Sequence, residues 1–160
     1  MIGQTVSNYR ILEKIGEGGM GVVWKAIDTR LDRTVAVKLL TADLQADPEK
    51  ARQLAHEARA VAALNHPNIV TIHSVEEEFE TPFLTMELVR GTDLSHQIPE
   101  GGLAPDRMLH LGIQMAEALA AANELGITHR DLKPGNVMLT ADGTKLLDFG
   151  LARTDLAVEG

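Results

Sequence analysis

Asp131, Asn136 and Asp148, three side chains with hard oxygen atoms, lie in the second half of the chain. Asp131 and Asn136 belong to the run His129-Arg130-Asp131-Leu132-Lys133-Pro134-Gly135-Asn136, and Asp148 opens Asp148-Phe149-Gly150. Val137 to Thr140 and Thr144 to Leu147 read as two short strands around an Asp142-Gly143 turn, so Asn136 and Asp148 stand at the two open ends of one hairpin. An amide oxygen and a carboxylate placed in this way can converge on one cation. Hard donors of this type, with phosphate supplying the remaining ligands, suit Mg²⁺. Taken alone, the charged run punctuated by Pro-Gly also fits an ordinary solvated loop.

A second pattern lies near the N-terminus, where Gly16-Glu17-Gly18-Gly19-Met20-Gly21-Val22-Val23 matches G-x-G-x-x-G-x-V. Glycines let backbone N–H groups approach phosphate oxygens without a Cβ in the way. A dinucleotide-binding reading requires a helix directly after the glycines, whereas Val22-Val23-Trp24-Lys25-Ala26 is strand-like, and no Gly-Lys-Ser/Thr follows to make a P-loop. By itself the pattern reads better as a flexible hairpin tip.

In Val35-Ala36-Val37-Lys38, alternation puts Ala36 and Lys38 on one strand face and Val35, Val37 and Leu39 on the other. A small residue beside an ammonium suits a flat base next to phosphates, and a solvent-facing lysine is the plain alternative. Glu57 favours the first reading. On the helix expected from Pro48, Leu54, Glu57, Ala58 and Val61 share a stripe, which puts a carboxylate among residues that face the sheet. A carboxylate there is costly unless paired, and Lys38 is the natural partner, with a surface-exposed stripe edge as the plain alternative for Glu57.

The elements that must position these groups can be read in order. Tyr9 to Gly16, Gly21 to Asp28 and Arg33 to Leu40 predict antiparallel strands. Asp47-Pro48-Glu49 predicts a helix start, with the helix ending near Leu64 before His66-Pro67. Ile69 to Val75 and Pro82 to Leu88 follow as strands. Pro105 then opens a long helix with Met108, Leu111, Met115, Leu119, Ala122 and Leu125 on the 3.6-residue period and Gly126 as its stop. The expected class is α+β: a β-rich half with one helix, then a mainly helical half.

Composition narrows the field further. The chain of 160 residues carries 15 Lys+Arg against 23 Asp+Glu, a formal charge of −8, with 44% hydrophobic residues. That suffices for a core, and the acidic excess argues against a general nucleic-acid or anionic-membrane binder. The absence of cysteine excludes disulfides, thiolate zinc sites and cysteine nucleophiles. Ala116 to Ala122 contains Glu117 and is too short to span a bilayer, and no targeting signal opens the chain; a cytoplasmic location is expected. His56, His66, His73, His96 and His110 lack ligand spacing and read as structural or surface residues.

With five motifs in this order, the chain resembles eukaryotic-like (Hanks-type) serine/threonine protein kinases, closest in flavour to the bacterial ones. The resemblance implies a protein-kinase-like fold, with an N-lobe over about 9–88 and a hinge and partial C-lobe over 89–160. It implies ATP and Mg²⁺ as cofactors and Ser/Thr hydroxyls of proteins as acceptors. The loop Gly16, Glu17, Gly18, Gly19, Met20 and Gly21 would cover the phosphates, while Lys38 would hold the α and β phosphates and pair with Glu57. Asp131 would accept the substrate proton, Lys133 would neutralise the moving phosphoryl group, and Asn136 and Asp148 would hold the metal. Met86, Glu87 and Val89 fall at the family's gatekeeper and hinge, and Val23, Ala36 and Met138 would sandwich adenine. Val61, Ile72, His129 and Phe149 match its regulatory spine, and Arg130 matches the arginine that pairs with an activation-loop phosphate. Thr154 reads as an ordinary loop residue.

The resemblance runs from about Tyr9 to Arg153 and stops inside the activation loop, so the chain is expected to be the front part of a longer kinase domain. The apolar face of the helix from Pro105 would then need cover from elements beyond residue 160. A second kinase copy is a further expected partner. The alternative is a nucleotide-holding, pseudokinase-like module that regulates a full kinase without transferring phosphate.

Overall fold

The computed structural model describes residues 1–18, 21–79 and 81–149. Gly19 and Met20 of the glycine loop, and Gly150, Arg153 and Thr154, lie outside the described residues. The chain divides into two compact units. Of the described residues, the first comprises Met1–Ala62 and Ile72–Leu88; the second comprises Ala63–Thr71 and 89–149.

The first unit is a six-stranded antiparallel sheet with helices. Its strands are β1 (Thr5–Val6), β2 (Tyr9–Gly18), β3 (Gly21–Asp28), β4 (Arg33–Leu40), β5 (Ile72–Glu78) and β6 (Thr81–Glu87), in the order β1-β2-β3-β4-β6-β5. The expected strands β3 and β4 appear with the expected bounds. The fourth and fifth expected strands shift to 72–78 and 81–87. The shift of the fourth has a long-range cause: Ile69, expected to begin a strand here, instead bridges Leu146 in the second unit, and a turn from His66 to Ile69 precedes it.

Register decides which side chains share a face. Val23 stands opposite Lys38, Ala36 opposite Met86, and Lys38 opposite Leu84. Because alternate residues point the same way, Val23, Ala36, Lys38 and Met86 line one face. The other face carries Tyr9, Ile11, Ala26, Val35, Val37 and Phe83, a buried apolar cluster with Val6, Trp24 and Leu39 packed against it. Tyr9 meets Phe83 edge to face, with ring centroids 6.0 Å apart.

A short helix α1 (Ala42–Gln45) leads into α2 (Pro48–Ala62). The Asp47 carboxylate accepts the Lys50 N–H at 3.2 Å and its carbonyl accepts the Ala51 N–H at 3.0 Å, the N-cap expected of Asp-Pro. Ala51, Leu54, Ala55, Ala58 and Val61 are the buried stripe, packed on β5 and β6. The helix ends at Ala62, slightly before Leu64.

The second unit contains β7 (Thr92–Asp93), α3 (Pro105–Glu124), β8 (Val137–Thr140) and β9 (Gly143–Leu146), the strands forming a sheet in the order β7-β8-β9. α3 stops as expected. Gly126 takes φ +73°, the Ile127 N–H reaches the Ala122 carbonyl and the Gly126 N–H reaches that of Asn123, which together make a Schellman motif. The buried face of α3 differs from the expected stripe. Leu111, Ala118 and Ala122 are buried, whereas Met108 and Leu125 of the expected set are exposed together with Leu109 and Ile113. The side chain of α3 that bonds β9 is polar, Gln114. The hairpin turn also falls one residue early: Ala141 and Asp142 are the loop, and Gly143 is already paired with Thr140 at φ +128°. Among the described residues, no helix is long and apolar enough to cross a membrane.

Gly21 and Gly18 separate packing from ligand space. A Cβ on Gly21 would lie 2.2 Å from the Leu39 carbonyl oxygen, whereas one on Gly18 would meet nothing within 4 Å. Gly21→Ala is expected to cost about 1–3 kcal/mol, as overpacking against backbone does. Gly18→Ala is expected to stay within about 0.5 kcal/mol, as exposed changes do. Urea unfolding of the two variants checks the contrast.

Candidate active site

In the first unit the sequence-predicted residues Val23, Ala36, Lys38 and Met86 come together on one sheet face, as the strand register requires. Lys38 is buried, only 6% exposed, which excludes the plain reading of a solvent-facing lysine. Glu57 lies beside the buried stripe of α2, partly buried, with its Oε2 sealed from solvent. Val61 and Ile72 are buried in the same unit. Gly16 and Gly18 are paired with Val23 and Gly21 across the hairpin, and a Cβ on Gly16 would have only Val23 Cβ, at 3.8 Å, nearby. The two glycines therefore leave room beside the backbone that no described side chain fills, which fits close approach by phosphate. Glu17 is exposed, and Glu87 ends β6.

In the second unit the loop residues gather around Asp131. Pro134 starts a single 3₁₀ turn that the Asn136 N–H closes onto the Lys133 carbonyl at 2.9 Å. That turn swings the Asn136 side chain back, so Nδ2 donates to the Asp131 carbonyl at 2.8 Å and to Asp131 Oδ2 at 3.2 Å. Lys133 Nζ stands 3.4 Å from the same Oδ2. Both side chains of that pair are partly exposed, so it adds little stability and its value is the charge it places.

His129 ties this loop to the segment that carries Asp148. Its Nδ1 accepts the Asp131 N–H at 3.1 Å, so Nε2 carries the proton and donates to the Leu147 carbonyl at 2.6 Å. The ring is buried and meets Phe149 edge to face at 4.6 Å, while the Leu147 N–H donates to the Asn136 carbonyl at 2.9 Å. Arg130 at φ +71° and Asp148 at φ +57° take a conformation that side chains disfavour. Strain of this kind persists only where the surroundings impose it, and it concentrates at functional sites.

The donor set fits a hard cation. Because Asn136 spends its nitrogen on Asp131, its oxygen is the atom a cation would meet, and Asp148 supplies a carboxylate at the other end of the hairpin. Among the described residues no group of three or more His, Asp or Glu side chains could hold a metal alone. A cation here thus depends on further oxygen ligands such as phosphate.

Sequence reasoning missed several residues. Asp93 stands opposite Met138 across β7 and β8, and the hydrogen bond from the Ser95 hydroxyl holds its carboxyl below the usual range. Gly91 permits close packing, since a Cβ would lie 2.0 Å from the Leu139 carbonyl oxygen. Gln114 and Asn68 bind the hairpin, and only their contacts reveal it. Val89 lies within the second unit and is partly buried.

Residues 9–156 match the model of the protein kinase domain family. The chain belongs to the protein kinase family. It is 42% identical over 160 residues to the serine/threonine-protein kinase PknA of Mycobacterium tuberculosis, a match that covers 95% of this chain and 37% of PknA. It is 43% identical over 151 residues to a probable serine/threonine-protein kinase of Streptomyces coelicolor, covering 91% of this chain and 22% of that protein. The crystal structure of the M. tuberculosis PknI kinase domain is similar at a TM-score of 0.82 and 30% identity, over 95% of this chain and 62% of that one. The fold is that of a protein kinase, as the motifs implied, and the chain spans a minor part of the length of the curated relatives it matches.

Replacing His129 by Phe would retain an aromatic ring against Phe149 and remove both hydrogen bonds. The Asp131 N–H and the Leu147 carbonyl would lose their partner, at a cost of about 1–3 kcal/mol each if they remain buried. A urea-unfolding midpoint well below wild type is the expected result.

Proposed function

We propose that this kinase domain transfers the γ-phosphoryl group of ATP to serine and threonine hydroxyls of protein substrates. The Asp131 cluster carries the reading. A half-exposed carboxylate is oriented by the Asn136 amide and has the Lys133 ammonium 3.4 Å away, which suits proton acceptance beside an incoming anionic group. As the substrate oxygen bonds to the γ-phosphorus, its proton passes to Asp131, and the bond to the β–γ bridging oxygen breaks, releasing ADP. Lys133 lowers the cost of charge on the transferring group.

Asn136 Oδ1 and the Asp148 carboxylate would hold Mg²⁺, which when bound supplies neutralisation of the phosphate charge. In the first unit, Lys38 is assigned to the α and β phosphates with Glu57 as its counter-ion. A buried ammonium on the sheet and a carboxylate oxygen sealed from solvent on α2 support that pairing. The main chain of Gly16, Glu17, Gly18, Gly19, Met20 and Gly21 is assigned to phosphate contact. Adenine contact is assigned to Val23, Ala36, Met86 and Met138 and to the backbone of Glu87 and Val89. Having Asp131, Lys133, Asn136 and Asp148 all present favours phosphotransfer over a module that only holds nucleotide.

In the protein that carries this domain, Asp131→Asn keeps the size of the side chain and removes the proton acceptor. Phosphate transfer from labelled ATP to a generic protein acceptor is expected to fall by roughly 10²–10⁴-fold, the range for loss of general-base catalysis. Acid hydrolysis of the wild-type product is expected to release phosphoserine and phosphothreonine. Turnover unchanged by the substitution would remove Asp131 from its role.

A further inference from the structure

Thr144 is fully buried at the start of β9, and each of its polar groups is bound by a side chain from another element. Gln114 Oε1, on α3, accepts both the Thr144 N–H and the Thr144 hydroxyl, each at 2.9 Å. Asn68 Nδ2, from the loop after α2, donates to the Thr144 carbonyl at 2.9 Å. Asn68 then continues the grip with its main chain. Its carbonyl accepts the Leu146 N–H at 2.8 Å, and the Val70 N–H donates to the Leu146 carbonyl at 3.0 Å. Gly143 is shaped to this contact, since a Cβ there would stand 3.0 Å from Gln114 Nε2. The next residue, Leu147, is held by Asn136 and His129, and Asp148 follows at once.

We propose that Gln114 and Asn68 form a clasp on Thr144 that positions Asp148 for its cation. The proposal rests on the assignment of Asp148 as a metal ligand. Neither side chain touches the reacting atoms, so both are positioning residues: they fix the height and twist of β9, and the strand transmits that placement to the carboxylate. A floor of two amides and one threonine suits the task, because amide and hydroxyl hydrogen bonds are directional whereas apolar packing is not. Groups that orient a ligating side chain typically govern metal affinity strongly.

The test uses the full-length protein and Mn²⁺ as a paramagnetic substitute for Mg²⁺, titrated in the presence of ADP. ADP affinity without metal and the thermal midpoint are measured beside it. Gln114→Leu and Asn68→Ala are each expected to weaken Mn²⁺ binding about 10–100-fold, as loss of orienting partners does, with metal-free ADP affinity unchanged. Gln114→Glu, which keeps the acceptor oxygen, is expected to restore most of the loss. If Gln114→Leu does not fold, Thr144→Val, which deletes only the hydroxyl, carries the test and is expected to show a smaller loss of the same kind. Asp148→Asn separates the two assignments. If it leaves Mn²⁺ binding intact, the metal assignment falls and the clasp with it. If it abolishes binding while the clasp variants lower only the thermal midpoint, or weaken metal-free ADP equally, the clasp is merely structural and the proposal is overturned.

Discussion

The placement of Asp148 depends on hydrogen bonds made by the residues before it. On the proposed reading Asp148 meets a small cation, a task of tight positional tolerance that its own two rotatable bonds cannot supply. Main-chain anchoring can, and from Thr144 to Leu147 polar groups are taken by Gln114, Asn68, Val70, Asn136 and His129. The left-handed backbone of Asp148 is the remainder of that constraint: where both neighbours are held, the residue takes the conformation that is left. The same bonds couple the loop of Asp131 to the hairpin, since His129 contributes one ring nitrogen to each.

The sheet of the first unit solves a different problem. On the proposed reading Lys38 acts on phosphate where water is scarce, yet an ammonium in a dry place is costly. Here the cost is spread by geometry. One face of the sheet is given over to Tyr9, Ile11, Val35, Val37 and Phe83, and the strength of that apolar cluster supports a strand whose other face carries Lys38. Alternation along β4 makes both possible in a single strand, and α2 brings Glu57 to the layer that packs on the sheet. Gly21 serves packing and Gly16 and Gly18 leave space, so one glycine pattern has two physical roles.

Much of this was legible in the residues. Strands with a period of two, a helix opened by Asp-Pro and closed by glycine, and the order of five motifs gave the α+β class, the kinase family and the candidate residues. The errors fall where local signals compete with long-range contacts. Ile69 reads as the start of a strand, but its partner is Leu146, far along the chain. Met108 and Leu125 read as core because they are large and apolar, whereas they are exposed and the small Ala118 and Ala122 are buried. Gln114 and Asn68 carried no signal at all, since a polar residue inside a helical stripe or a loop looks ordinary until its partner is known.

The sequence by itself determined the chemistry and the local elements, because residue type, turn chemistry and periodicity act over a few positions. Only the tertiary structure decided which polar groups meet: that Asn136 holds Asp131, that His129 takes one tautomer, and that a glutamine and an asparagine clasp Thr144. Hydrogen bonds between residues far apart depend on the register and approach of whole elements, and that information is not local to any stretch of chain.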